Sequence, residues 1–278
     1  MSEPLQTGIA AAKPDTGAIP GAIPGVVPSL IPGAIAIASG KGGVGKTWLA
    51  ISLAHALARN GERVMLFDGD LGLANVDIQL GLTPAIDLGT ALERQLPLAR
   101  AATPVPAGFD VIAGRSGSGG LANMPAHRLA ILTAGLRDVA ASYDRVIVDL
   151  GAGIDRPVRS MAAICATTIV VANDEPTTLT DAYALIKMLT ADQAPCRIGI
   201  VVNAAQDVAQ GQQTYATLSK ACQNFLKLNP PLLGIIRRDP KVKDAIRAQT
   251  PLLTRHPGSI AAQDVEALAG QIPLINLT

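Results

Sequence analysis

Read for the alternation of hydrophobic and polar positions, the chain changes character near residue 34. From there on, short β-branched runs alternate with longer stretches rich in alanine and leucine. The runs at 34–39, 63–68, 109–113, 145–150, 168–172, 197–203 and 232–236 are nearly all apolar. A strand with one solvated face alternates, whereas a strand covered on both faces does not, so these runs predict buried strands. The stretches at 47–60, 125–142, 180–192 and 209–226 read as the helices between them. Strand and helix in alternation predict an α/β fold, three layers deep (α/β/α), around a mostly parallel sheet. In such sheets ligands sit at the carboxyl ends of the strands.

Residues 16–40 carry no charged side chain, but proline recurs at Pro20, Pro24, Pro28 and Pro32. Each proline removes a backbone donor and clashes with the preceding turn, so a membrane-spanning helix is not expected here. Only Lys13 precedes the run, which lacks the basic start of a secretory signal. Residues 1–33 are therefore expected to be a flexible Pro/Gly-rich tail of extended, polyproline-like character, ahead of one domain at 34–278. Ile19, Ile23, Val27 and Ile31 would give that tail an apolar stripe for docking to a partner.

Composition narrows the function classes. The chain has 278 residues, 49% of them hydrophobic and 16% charged, ample for a large core. A net charge of +1 gives no global reason to expect a polyanionic partner. One tryptophan, three tyrosines and three phenylalanines are too few for an extended base-stacking platform. Cys165, Cys196 and Cys222 are widely spaced, which argues against a disulfide framework and fits a reducing cytoplasm. His55, His127 and His256 have no ligand-like spacing.

The first strand runs into Gly40-Lys41-Gly42-Gly43-Val44-Gly45-Lys46-Thr47 and then a helix. This matches G-x-x-x-x-G-K-[ST], a P-loop for a nucleoside triphosphate. Glycines let successive N–H groups turn inward onto phosphate oxygens, and the helix N-terminus adds partial positive charge. Lys46 would reach the β- and γ-phosphates, and the Thr47 hydroxyl would ligate Mg²⁺. Gly40, Gly42 and Gly45 also fit G-x-G-x-x-G, with Asp68 placed for a ribose, as in a dinucleotide-binding domain. That alternative uses neither Lys46 nor Thr47.

Two further strands end in carboxylates. Phe67-Asp68-Gly69-Asp70 closes one, where a carboxylate beside a phosphate loop feels a metal and can orient a water. Val146-Ile147-Val148-Asp149 closes another, the pattern of a direct or water-mediated Mg²⁺ carboxylate. Gly151 and Gly153 then permit a loop that moves with the γ-phosphate.

With Lys41 early in SGKGGVGKT, and with FDGDLGLANVDIQLGL and VIVDLGAGI, the chain resembles the MinD/ParA family of deviant Walker ATPases over about residues 34–272. LGLANVD, DLGAGI and EPTTLTDAYALIKML look most like its FlhG/FleN branch, which controls flagellar number and placement. The resemblance implies a slow, partner-stimulated Mg²⁺-ATPase that forms an ATP-dependent sandwich homodimer. Lys41 would cross to the partner subunit's phosphates, Asp70 would orient the attacking water, Asp149 would hold Mg²⁺ through water, and Asn203 would read the adenine. A second cation aimed at the transferring phosphoryl group would act as an arginine finger does. Flagellar basal-body or regulatory proteins are the implied partners. The same family also contains septum-site and chromosome- or plasmid-partitioning ATPases, and a non-hydrolysing nucleotide-dependent scaffold is a reading of another class.

The family's N-terminal glutamine/leucine partner motif is not recognisable. The stretch 259–269 carries Asp264 and Glu266 rather than lysine or arginine, so membrane association is expected to be peripheral at most. Residues 220–255 hold eight cations against Asp239 and Asp244, a local surplus that would let a dimer attract DNA or anionic lipid. One unpaired Cys165 cannot hold the iron–sulfur cluster of the related nitrogenase-type iron proteins.

Overall fold

The apolar runs become the middle of a single sheet. In the computed structural model, which describes residues 30–70, 72–114 and 124–275, the described strands are β1 (Ile31–Ser39), β2 (Val64–Gly69), β3 (Ala102–Pro104), β4 (Asp110–Ile112), β5 (Arg145–Ala152), β6 (Cys165–Ala172), β7 (Arg197–Ala205) and β8 (Leu232–Arg237). They lie in the order β3-β4-β2-β5-β1-β6-β7-β8. Every pairing is parallel except β3 with β4. β3 escaped the sequence reading because three residues are too short to show a period.

The described helices are α1 (Lys46–Arg59), α2 (Val76–Leu80), α3 (Leu88–Glu93), α4 (Ala126–Ala140), α5 (Arg156–Ile164), α6 (Pro176–Ala191), α7 (Val208–Ala221), α8 (Pro240–Arg247), α9 (Leu252–Arg255) and α10 (Ile260–Ile275). None of them is long and apolar enough to cross a membrane. α6 begins four residues before the expected 180, with Pro176 in its first turn, where a missing N–H costs nothing. The helix expected through 226 is α7 followed by a five-residue π-helical turn, Cys222–Leu226.

β1 shows how the layers are built. Its small residues Ala34, Ala36 and Ala38 face one core with Leu132 and Leu136 of α4, Met161 of α5 and Leu185 and Leu189 of α6. Its large residues Ile35 and Ile37 face the other, with Leu49, Leu53 and Leu57 of α1 and Val265, Leu268 and Ile272 of α10. Side chains alternate across a strand, so an Ala/Ile alternation puts slim residues under one helical layer and bulky ones under the other.

The tail boundary at residue 33 needs correction: β1 already begins at Ile31. Proline and glycine mislead here because the strand accommodates both. Pro32 sits at the strand's start and is exposed. The register with β6 shifts between Ile31 and Ile35, a bulge that Gly33 fits with φ +72°. Residues 1–29, including Ile19, Ile23 and Val27, lie outside the described residues.

Candidate functional site

The site lies where β1, β2 and β5 end. Beyond Ser39 the chain curls into the glycine loop, and Ser39 Oγ donates to Lys41 O at 2.6 Å. Gly45 has φ +91° and caps α1, which starts at Lys46. A Cβ there would stand 2.5 Å from Asn203 Nδ2, so both backbone conformation and space demand glycine. Asn203 Nδ2 in turn donates to Val44 O at 2.7 Å. The side chain expected at an adenine therefore braces the loop from behind, and it is not among the residues lining the cavity above it.

That cavity has a volume of about 700 Å³, ample for a nucleotide. Gly42, Gly43, Gly45, Lys46 and Thr47 line it, with Asp70 and Gly151. Lys46 is buried, and desolvation lowers its pKa against the raising effect of Asp149 and Asp70. Asp149 is also buried, and its pKa is pushed up to about 8, first by desolvation and then by the charge of Asp68. The Thr47 hydroxyl hydrogen-bonds to it and works the other way.

Asp149 Oδ1 is buried with no hydrogen-bond partner among the described residues. A buried carboxylate oxygen without a partner is costly, and a hard cation beside the Thr47 hydroxyl would satisfy it. No group of three or more His, Cys, Asp or Glu able to hold a metal occurs among the described residues. Mg²⁺ uses one or two protein oxygens together with phosphate and water, and Thr47 with Asp149 fits that requirement.

Asp68 and Asp149 are opposite one another in β2 and β5. Asp68 was considered for a ribose, and the structure gives it different work. Its carboxylate accepts from the backbone N–H of Asp70 at 3.2 Å, Asn75 at 3.1 Å and Val76 at 3.2 Å, clamping the loop that carries Asp70. Burial pushes its pKa up to about 6, against those three donors. Asp70 Oδ1 accepts from Gly72 N at 3.3 Å and Leu73 N at 2.9 Å. A Cβ on Gly151 would stand 3.3 Å from the same oxygen, so the glycine after Asp149 lets Asp70 come close.

Lys41 is held within its own chain. Its Nζ lies 3.0 Å from Glu175 Oε2 and 2.8 Å from Thr177 Oγ1, at the start of α6. This pairing holds the Glu175 carboxyl below its usual range. The structure thus brings together Lys46, Thr47, Asp70 and Asp149, and ties Lys41 beside them. Sequence reading missed the clamp of Asp68, the partners of Lys41, and the cavity wall made by Trp48, Gln79, Asp155 and Ile246. Glu175 did stand in a quoted motif, but only a fold shows that it faces the loop.

The profile of the CobQ/CobB/MinD/ParA nucleotide-binding domain matches residues 35–252. The antiactivator FleN of Pseudomonas aeruginosa is 37% identical over 238 residues, covering 86% of this chain and 85% of that protein. The flagellum site-determining protein YlxH of Helicobacter pylori is 30% identical over 237 residues, covering 85% and 80%. Among solved structures, the septum site-determining protein MinD of Pyrococcus horikoshii complexed with Mg-ADP aligns with a TM-score of 0.74 at 25% identity, covering 87% of this chain and 96% of that one.

Proposed function

The chain belongs to the CobQ/CobB/MinD/ParA family of nucleotide-binding domains, and from that premise we propose that it is an ATP-dependent dimerising switch controlling flagellar number or placement. As a P-loop ATPase of that family it takes ATP with Mg²⁺. The observation that carries the flagellar reading is the likeness to FleN over 86% of the chain.

The residues divide the work of phosphoryl transfer. The amides of residues 42–47 and Lys46 would hold the phosphates, and Thr47 with Asp149 would hold Mg²⁺, which neutralises developing charge. Asp70, fixed by Gly72 and Leu73 and approached by Gly151, is set to orient a water. Lys41 completes the charge only after leaving Glu175 and Thr177, so closure of two subunits and release of Lys41 are one event. The ATPase domain begins with β1 at Ile31.

Two measurements test this. Light scattering should show a monomer that dimerises with ATP and Mg²⁺, and a strain lacking the gene should show altered flagellar number by electron microscopy. Normal flagellation would reject the process assignment. Arg238, Lys241, Lys243 and Arg247 are exposed around α8, which favours a second reading as a partitioning ATPase on DNA. ATP-dependent binding of random duplex DNA, lost at high salt, would support that reading instead.

A further inference from the structure

Trp48, the chain's single tryptophan, directly follows Thr47. It is only 6% exposed, yet it borders two spaces. One is the cavity of about 700 Å³ over the phosphate loop, and the other is a small cleft of about 10 Å³, roughly one water in size. Gln79 of α2 and Ile246 of α8 border both as well. Residues from three elements therefore form a wall shared by the two spaces.

That wall has a chemical sidedness. Trp48 Nε1 and, one turn along α1, Ser52 Oγ are buried with no hydrogen-bond partner among the described residues. Ser52 also lines the small cleft. Because the indole nitrogen is shielded from solvent, the part of Trp48 that meets the large cavity is hydrocarbon. Ile246 adds more hydrocarbon, and Gln79 supplies an amide with both donor and acceptor. A triphosphate has no use for such a wall, since its oxygens belong to the loop amides and Lys46. A base has flat apolar faces and polar edges, and ribose carries hydroxyls, which an indole, an isoleucine and an amide together complement.

We propose that Trp48, with Ile246 and Gln79, forms the nucleoside-recognition wall of the site and makes Trp48 a specificity-determining residue. This rests on the ATP-binding reading above. It also couples the nucleoside to α2, which follows the Asp70 loop, and to α8, around which the exposed cations lie.

The test is calorimetry on the full chain with Mg²⁺ and either ATP or inorganic tripolyphosphate. Trp48→Ala should weaken ATP by about tenfold and leave tripolyphosphate within about twofold. Trp48→Phe should restore ATP to within about threefold. The emission of the one tryptophan should shift with ATP and stay unchanged with tripolyphosphate. Should Trp48→Ala not fold, Gln79→Ala carries the same comparison, with an ATP-only loss of a few-fold. Equal losses for the two ligands would mean that Trp48 merely supports the loop, and no loss for either would remove it from the site. Both results overturn the proposal while leaving ATP binding intact. A wild-type chain that binds neither ligand overturns the ATP-binding reading itself.

Discussion

The two ends of the sheet carry the same residue types in opposite electrostatic states. At the amino ends of the strands, Glu62 meets Arg145 at 2.5 Å, Asp144 takes two bonds from the Arg63 guanidinium at 2.8 and 3.2 Å, and Asp110 accepts from the Tyr143 hydroxyl at 2.7 Å. The Arg63 partnership holds the Asp144 carboxyl down to about 2. At the carboxyl ends, Asp68 and Asp149 are buried side by side and pushed up to about 6 and about 8. The first end is satisfied within the chain. The second concentrates carboxylates around a single buried lysine, an arrangement that costs stability unless charge arrives from outside. Unequal treatment of one side chain type is the physical mark of a site.

The sharpest way to break this contrast is to remove the water-orienting carboxylate. Asp70→Ala should lower phosphate release by at least about 10²-fold while ATP affinity by calorimetry stays within a few-fold. Persistent turnover would show that Asp70 has no part in the chemistry.

One substitution at each end should move stability in opposite directions. Asp149→Asn stays neutral at every pH, so above about pH 8, where the wild-type carboxyl ionises, the ligand-free variant should melt higher than wild type, while Mg²⁺-dependent nucleotide affinity falls about 10–100-fold. Arg145→Met leaves the half-buried Glu62 without its partner and should destabilise by about 1–3 kcal/mol in denaturant titration, with nucleotide affinity unchanged.

The pH dependence sharpens the same point. The Asp149 pKa in the folded chain, about 8, lies above its unfolded value of 3.8, so the folded chain holds a proton between those values that the unfolded chain lacks. Its contribution to ligand-free stability is therefore present at low pH and lost as pH rises through about 8. Asp144, depressed to about 2, behaves oppositely, and its contribution disappears as pH falls from 3.8 through about 2. Binding of Mg²⁺-ATP at pH 7 should release close to one proton at Asp149, and its affinity should rise with pH up to about 8. Calorimetry in buffers of different ionisation enthalpy measures that proton. Its absence would mean that Asp149 is already ionised.

The smallest effect belongs to Lys41. Its pair with Glu175 is exposed, so Glu175→Gln should leave the melting temperature almost unchanged. It should still favour ATP-dependent dimerisation by a few-fold in sedimentation, because Lys41 then leaves its own chain more easily. Unchanged dimerisation would make the contact incidental.

Much of the architecture was legible because it depends on short-range pattern. Apolar runs of five to seven residues named the central strands, and an eight-residue motif located the loop, since phosphate binding by backbone amides requires glycines at fixed spacing. The three-residue β3 and the four- to six-residue helices α2, α3 and α9 carried too little pattern to stand out, and Pro32 and Gly33 hid the start of β1. Asp70 and Asp149 could be picked out as strand-end carboxylates, but Asp68 could not be assigned its role, because the amides it clamps come from Asp70, Asn75 and Val76 only after the loop folds back.

The sequence by itself determined the alternating fold, the phosphate loop and the presence of acid at two strand ends, because each is written in neighbouring residues. Only the tertiary structure decided that Asn203 braces Val44, that Lys41 rests on Glu175 and Thr177, and that Trp48, Gln79 and Ile246 border one cavity. Those partners are brought together by sheet order and helix packing across up to 198 positions of chain, from Trp48 to Ile246, and no local pattern encodes contacts at such separation.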